Sequence, residues 1–211
     1  LQRWEVLGIG KQQETAMAIG RPRTFNKEQA LDHALEVFWR KGYEGASICD
    51  LTAAMGINPP SLYAAFGNKE ALFRQALDRY SETKAGFIRE ALAAPKARDG
   101  IVAIMLGTAH SLADKSSPAG SPRVQGIAGA GDHARCIRDE LNARRAVTQK
   151  AVRDRLKQAK DEGERPEDAD PAALARYFST VAQGMAIQAA AGASRKDLEL
   201  IAEMAMRVWP A

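Results

Sequence analysis

A chain of 211 residues with 45% apolar content can fill one sizeable core, or a small module fused to a larger one. Its two cysteines, Cys49 and Cys136, are too few for a disulfide framework, and no apolar run reaches the roughly 18 residues that cross a bilayer. The net charge of +4 suits an anionic partner only mildly: residues 1–70 carry eight basic and eight acidic side chains, and the basic excess lies between Arg123 and Arg165.

The start lacks the apolar stretch and small-residue cleavage site of a secretory signal, so a cytoplasmic protein with no membrane partner is expected. Residues 1–19 read as an N-terminal extension in which Met17-Ala18-Ile19-Gly20 looks like a natural start, leaving a non-native remnant and a misassigned upstream start both open for residues 1–16. Arg21 and Arg23 follow on a Gly/Pro-containing arm. Such an arm can lie in a minor groove or along phosphates, or be a solvated terminus.

Nearly every periodic segment has helical spacing and none shows strand alternation with a hairpin turn, so an all-α fold is expected. Asn26 caps a helix over Lys27–Lys41, with Leu31, Ala34, Leu35 and Phe38 as its apolar stripe and Gly42 at its end. Ser47 caps a short helix to Met55, with Asp50 at the third helical position and Gly56 as the stop. Asn58 caps the next, and Pro59 and Pro60 fall in its first turn, where a missing N–H removes no intrahelical bond. Gly67 ends that helix, and Asn68 caps a long one over Lys69–Ala93 that carries Phe73, Leu77, Tyr80, Phe87 and Ile88.

The remainder reads as a helix over Asp99–Lys115, a loop at 116–122, a Gly-rich piece at 126–131 and a long helix over 134–162. A linker at 162–170 precedes a helix from Pro171 to Gly192 and a last one, capped by Ser194, to Trp209. The Arg-rich helix of the middle region reads as a solvated face, or as a surface for another protein. Cys49 reads as a small buried residue; Arg135 and Arg138 flank Cys136, leaving an inert thiol and a redox-responsive one both open.

Ser47–Met55, the Gly56-Ile57 turn and Asn58–Phe66 have the layout of a helix-turn-helix, whose second helix enters the major groove. Leu62 and Phe66 are spaced to face the core, which turns Ser61 and Tyr63 elsewhere. The prolines present a donor-free apolar edge suited to a thymine methyl. The Tyr63 hydroxyl can bond a phosphate, and the start of the helix at Asn68 and Lys69 offers free N–H groups and a positive charge.

With GlyArgProArgThrPhe (20–25) in front and SerLeuTyrAlaAlaPheGlyAsnLysGluAlaLeuPhe (61–73) behind, this order of segments resembles the TetR family of bacterial transcriptional repressors. The resemblance is specific from Gly20 to about Tyr80; beyond that, only helical layout and length match. It implies a three-helix DNA-binding domain at 20–68 and a helical effector-binding and dimerisation domain at 69–211. The partners it implies are a double-stranded operator, a second copy of the chain and a small-molecule effector, with no cofactor. Residue by residue, Ser47, Tyr63 and Lys69 match phosphate-contacting positions, and Pro59, Pro60 and Ser61 match base-reading positions, beside Asn58. The family's histidine before the phenylalanine is replaced by Ala65, so that backbone contact is not expected.

Within the second domain, Phe178, Val181, Met185 and Ala189, with Ile201, Ala205 and Val208 of the last helix, are expected to form a four-helix bundle across a two-fold axis. Ordinary packing within one chain is the alternative. Phe87, Met105, His110, Ile127 and Met185 are candidates to line an effector pocket, although Met and aromatic residues at helical spacing more often belong to a core. His133, at a Gly-rich helix start, is equally ambiguous. His33, His110 and His133 have no partners at metal-helix spacing, no metal site is expected, and neither GxSxG nor GxxxxGK[ST] occurs, so an enzyme is not expected.

Overall fold

The computed structural model describes residues 25–122, 135–164 and 170–209. Among them every regular element is a helix. These are α1 (Lys27–Gly45), α2 (Ile48–Met55), α3 (Pro59–Phe66), α4 (Lys69–Thr83), α5 (Phe87–Leu92), α6 (Ala97–Leu112), α7 (Arg135–Asp161), α8 (Pro171–Ala190) and α9 (Arg195–Ala205). A 3₁₀ turn, Met206–Val208, follows α9.

The starts are set by short polar side chains. The Asn26 carboxamide accepts from the amides of Glu28 (3.0 Å) and Gln29 (3.1 Å). Reciprocal capping boxes form at Ser47/Asp50 and Ser194/Asp197. The chain bends at Gly42 inside α1, where a helix end was expected, and continues to Gly45.

Two clusters of buried side chains divide the molecule. The first joins α1–α4 through Phe38, Trp39, Leu51, Leu62, Phe66, Phe73 and Leu77. Ile137 and Leu141, from the first turns of α7, are also fully buried in it. The second joins α5–α9 around Ile101, Met105, Leu156, Phe178, Met185 and Leu198. The 27-residue α7 therefore runs from one cluster into the other.

The largest departure from expectation is at 84–86. A single helix over Lys69–Ala93 is predicted by spacing, yet α4 stops at Thr83 and α5 begins at Phe87. Tertiary bonds override propensity here. The Lys84 ammonium lies 2.9 Å from an Asp114 carboxylate oxygen, and the Ser111 hydroxyl donates to the Lys84 carbonyl (3.3 Å). The break turns the Phe87 ring onto α6 at Gly107, where a Cβ would lie 2.6 Å from two ring carbons; only glycine lets the two approach so closely.

Candidate nucleic-acid interface

α2 and α3 each bury one face and leave the other in solvent. Leu51, Met55, Leu62 and Phe66 are buried in the first cluster. Gly56 closes α2 in the left-handed conformation (φ 66°, ψ 28°), which a side chain disfavours. The Gly56 amide donates to Ala53 and Thr52, and the Ile57 amide to Thr52 (3.1 Å). The angle between the helices is thus fixed by backbone bonds rather than by a loose linker.

On the outer side, Asn58, Pro59 and Pro60 are exposed at the start of α3 and Ser61 is half-buried. The Asn58 side chain accepts from the Ser61 amide at 2.8 Å, so its oxygen holds the helix start. Tyr63 is 50% exposed on the same helix. Pro59, Pro60 and Tyr63 are thus among the exposed residues of this helix, whose Leu62 and Phe66 are buried.

Two positions are more committed than the sequence suggests. The Ser47 hydroxyl accepts from the Asp50 amide (3.0 Å) and donates to the Asp50 carboxylate (2.8 Å), which also takes the Ser47 amide (3.0 Å). Lys41 binds the other oxygen of that carboxylate at 2.6 Å. The Lys41 and Ser47 bonds hold the Asp50 carboxyl at about 2, well below its ordinary value. Lys41 therefore offsets the negative charge of Asp50 at the start of α2. Lys69 sits with its ammonium 4.6 Å from the centre of the Tyr43 ring and 3.5 Å from the Glu44 carbonyl. Burial lowers its pKa, and the Glu44 charge opposes that shift. Lys69 is a partly buried cation braced by α1 rather than a free surface charge.

Lys27 was missed by sequence reasoning. Its ammonium lies 5.3 Å above the Phe66 ring at the end of α3, and Phe25 packs on the same ring at 5.9 Å between centroids. Nothing in the spacing of Lys27 signals this, because the contact joins residues 39 positions apart. Arg21 and Arg23 lie outside the described residues. Cys49, expected to be buried, is exposed, because α2 turns Leu51, Thr52 and Met55 inward instead; Cys136 is exposed too.

A cavity lies where the two clusters meet. It encloses about 970 Å³ counted out to its open mouth. Tyr80 of α4 forms one wall, Phe87 and Ile88 a second, Ile101 and Ile104 of α6 a third. α7 and α8 close it with Arg145, Thr148, Val152, Phe178 and Gln183, among others. Tyr80 also meets Trp39 of α1 edge-to-face at 5.4 Å.

Of the expected pocket residues, Phe87 lines this cavity. Met105 and Met185 are fully buried in the second cluster and do not line it, because their helices turn other residues toward the space. His110 points outward, with its Nε2 2.8 Å from a Glu199 carboxylate oxygen. Ile127 and His133 lie outside the described residues. Arg145 and Gln183 were missed, since each reads as one more polar residue on a charged or small-residue helix.

The residues expected at a pairing surface lie mostly inside this chain. Phe178, Met185, Ala189 and Ala205 are buried within this one chain, Val181 and Ile201 are half-buried, and only Val208 is exposed. From α8 onward, the exposed large apolar residues among those described are Tyr177, Ile187, Leu200, Met204 and Val208; Tyr63 and Val147 are exposed elsewhere. The apolar arc of α8 is wide enough to serve the core with one edge and solvent with the other; one residue step turns a helix by about 100°. The Arg-rich helix is not simply a solvated face. Arg144 bonds Asp78 (2.7 Å) and Glu140 (2.6 Å), and Arg155 donates to the Ala94 and Pro95 carbonyls.

Comparison with known proteins gives the same picture. Residues 30–76 match the family model for bacterial regulatory proteins of the tetR family. The chain is 36% identical over 197 residues to the HTH-type transcriptional repressor ComR of Escherichia coli (strain K12), covering 90% of this chain and 92% of that one. It is 50% identical over 66 residues to the repressor BdcR of the same organism, 31% of this chain and 34% of that one. Its structure resembles that of the regulator CifR, a cysteine mutant solved with 26-bp double-strand operator DNA, with a TM-score of 0.85 and 38% identity over 90% of this chain and all of that one. The chain belongs to the TetR family of DNA-binding transcriptional regulators.

Proposed function

We propose that the chain is a cytoplasmic dimeric repressor that reads a palindromic operator with α3 and leaves it when a small molecule occupies the cavity. The observation that carries this is the outer rim of α3. Pro59, Pro60 and Tyr63 are exposed on a helix whose other face is locked into the core. In this reading Pro59, Pro60 and Ser61, beside Asn58, meet base edges. Tyr63, Ser47, Lys69 and the arm with Arg21 and Arg23 meet phosphates. The relatives ComR and BdcR are named repressors, and CifR was solved on operator DNA, which supports repression over activation.

The exposed stripe of Tyr177, Ile187, Leu200, Met204 and Val208 is what a second copy would cover. Two α3 helices would then reach half-sites roughly 34 Å apart. A cavity ligand would act through two connections. One is Tyr80 and the broken α4–α5 junction. The other is α7, which lines the cavity at Arg145 and holds α4 through Arg144 and Asp78. The ligand shifts the balance only by binding the DNA-incompetent state more tightly.

Selection of bound duplexes from a randomised pool tests this reading. A palindrome should be enriched within a few rounds. A pool that binds yet shows no enrichment would contradict sequence-specific reading by α3.

A further inference from the structure

We propose that the bases under α3 are recognised through the C5 methyl groups of thymine, not through hydrogen bonds to guanine or adenine, and that Pro59 and Pro60 are the specificity-determining side chains. This rests on reading α3 as the helix that enters the major groove, and names the chemistry it meets there. Each base pair shows that groove a pattern of hydrogen-bonding edges, to which thymine alone adds a methyl. Reading guanine takes an arginine or lysine. Reading adenine takes an asparagine or glutamine bound by its oxygen and its NH₂ together. Residues 48–66 contain no lysine, arginine, glutamine or histidine. Their one carboxylate, Asp50, is held by Lys41 and Ser47. The cations around them stand on other helices: Lys27 over the Phe66 ring and Lys69 against the Tyr43 ring.

Asn58 is the one carboxamide of this stretch, and its oxygen is bound to the Ser61 amide at 2.8 Å. The helix start and an adenine edge compete for that oxygen, and capping holds it. The Thr52 hydroxyl is likewise taken by the Ile48 carbonyl (2.8 Å). What α3 leaves exposed at its leading end is apolar: the rings of Pro59 and Pro60, then Ala64, four residues on from Pro60 and so on the same side. Two prolines in the first turn present carbon where other residues present N–H groups. The Ser61 hydroxyl beside them bonds donors and acceptors alike and so discriminates little. A thymine methyl packed on the proline edge leaves water. A guanine or cytosine edge placed there would lose its water and gain no hydrogen bond.

The test selects duplexes bound by the full chain from two randomised pools, one copied with dTTP and one with dUTP, which lacks only the methyl. The thymine pool should yield a consensus with thymine at fixed positions; the uracil pool should yield none there. On the selected duplex, read by fluorescence anisotropy, each such thymine replaced by uracil should cost about fourfold in affinity, and replacement in both half-sites at least about tenfold. That ratio should hold at two salt concentrations while both affinities fall, because a methyl contact releases no counterions. Cytosine at the same position should bind weakly, and 5-methylcytosine should recover part of the loss, since it restores the methyl alone. Replacing both prolines, Pro59→Ala and Pro60→Ala, should bring the thymine-to-uracil ratio at each position within about twofold, a readout that a general loss of folding or affinity does not move. The same consensus from both pools, bound equally well, would overturn the proposal and leave operator reading by α3 standing. A thymine preference that survives the proline replacements would assign it to duplex shape and overturn the contact. No consensus from either pool would remove the reading of α3 as well.

Discussion

Gly107→Ala places a methyl group 2.6 Å from the Cδ2 and Cε2 atoms of Phe87. Carbon atoms in contact sit about 3.5–4.0 Å apart, so the ring must retreat by about 1 Å. Phe87 also lines the cavity, but the ring is tethered to α5, a helix of six residues that follows the break at 84–86. Such overpacking costs about 1–3 kcal/mol. Replacing glycine by alanine within a helix contributes about 1 kcal/mol in the other direction. The expected net effect is a loss of about 0–2 kcal/mol, or up to roughly 8 °C in Tm for a chain of this length. In a Phe87→Ala background the obstacle is gone, and the same substitution should become stabilising by up to about 1 kcal/mol. A double-mutant cycle read by urea unfolding measures the change of sign. An equal effect of Gly107→Ala in both backgrounds would refute the packing argument, as would stabilisation in the parent.

Four further outcomes are expected. Asp50 has a depressed carboxyl pKa in the folded chain, so its contribution is fully present above the ordinary value of 3.8 and is lost as pH falls toward about 2. Asp50→Asn should flatten the dependence of Tm on pH in that window and leave the neutral-pH side unchanged in slope. Tyr63→Phe and Lys69→Ala should weaken binding to all duplexes alike, whereas changes at Pro60 or Ser61 should alter which sequence is preferred, as read by competition between duplexes. Lys69→Ala should also lower stability by about 0.5–1 kcal/mol, because the ammonium braces the Tyr43 ring; an unchanged urea midpoint would contradict that contact. Leu200→Glu should yield monomers in sedimentation, while a dimer that persists would move the pairing surface away from α9.

Local signals were readable wherever one residue type governs a backbone bond. Asn26, Ser47, Asn58, Asn68, Asp170 and Ser194 each cap the helix that their position in the sequence implies. The inward faces of α2 and α3 followed from the spacing of Leu51, Leu62 and Phe66. The break after Thr83 was not readable, because Lys84, Asp114 and Ser111 make it through contacts about 30 residues apart. For the same reason the cavity was only partly legible. Met105 and Met185 have the chemistry of pocket residues but sit in the core, and helix rotation, which periodicity leaves open on an all-round apolar helix, assigns them there. Arg145 on a helix with many arginines carries no distinguishing mark until α8 is packed beside it. The same ambiguity left open that Phe178, Met185 and Ala189 would be buried within the chain while Tyr177 and Ile187 face solvent.

The most direct test of operator recognition is fluorescence anisotropy on a labelled duplex from immediately upstream of this protein's own gene, beside a scrambled duplex, at two salt concentrations. Tight binding to the upstream duplex alone, weakening steeply with salt, is the expected result. Equal and weak binding to both duplexes at both salts would contradict the assignment of that duplex as the operator. Binding to neither would contradict the reading of α3 as a DNA-recognition helix.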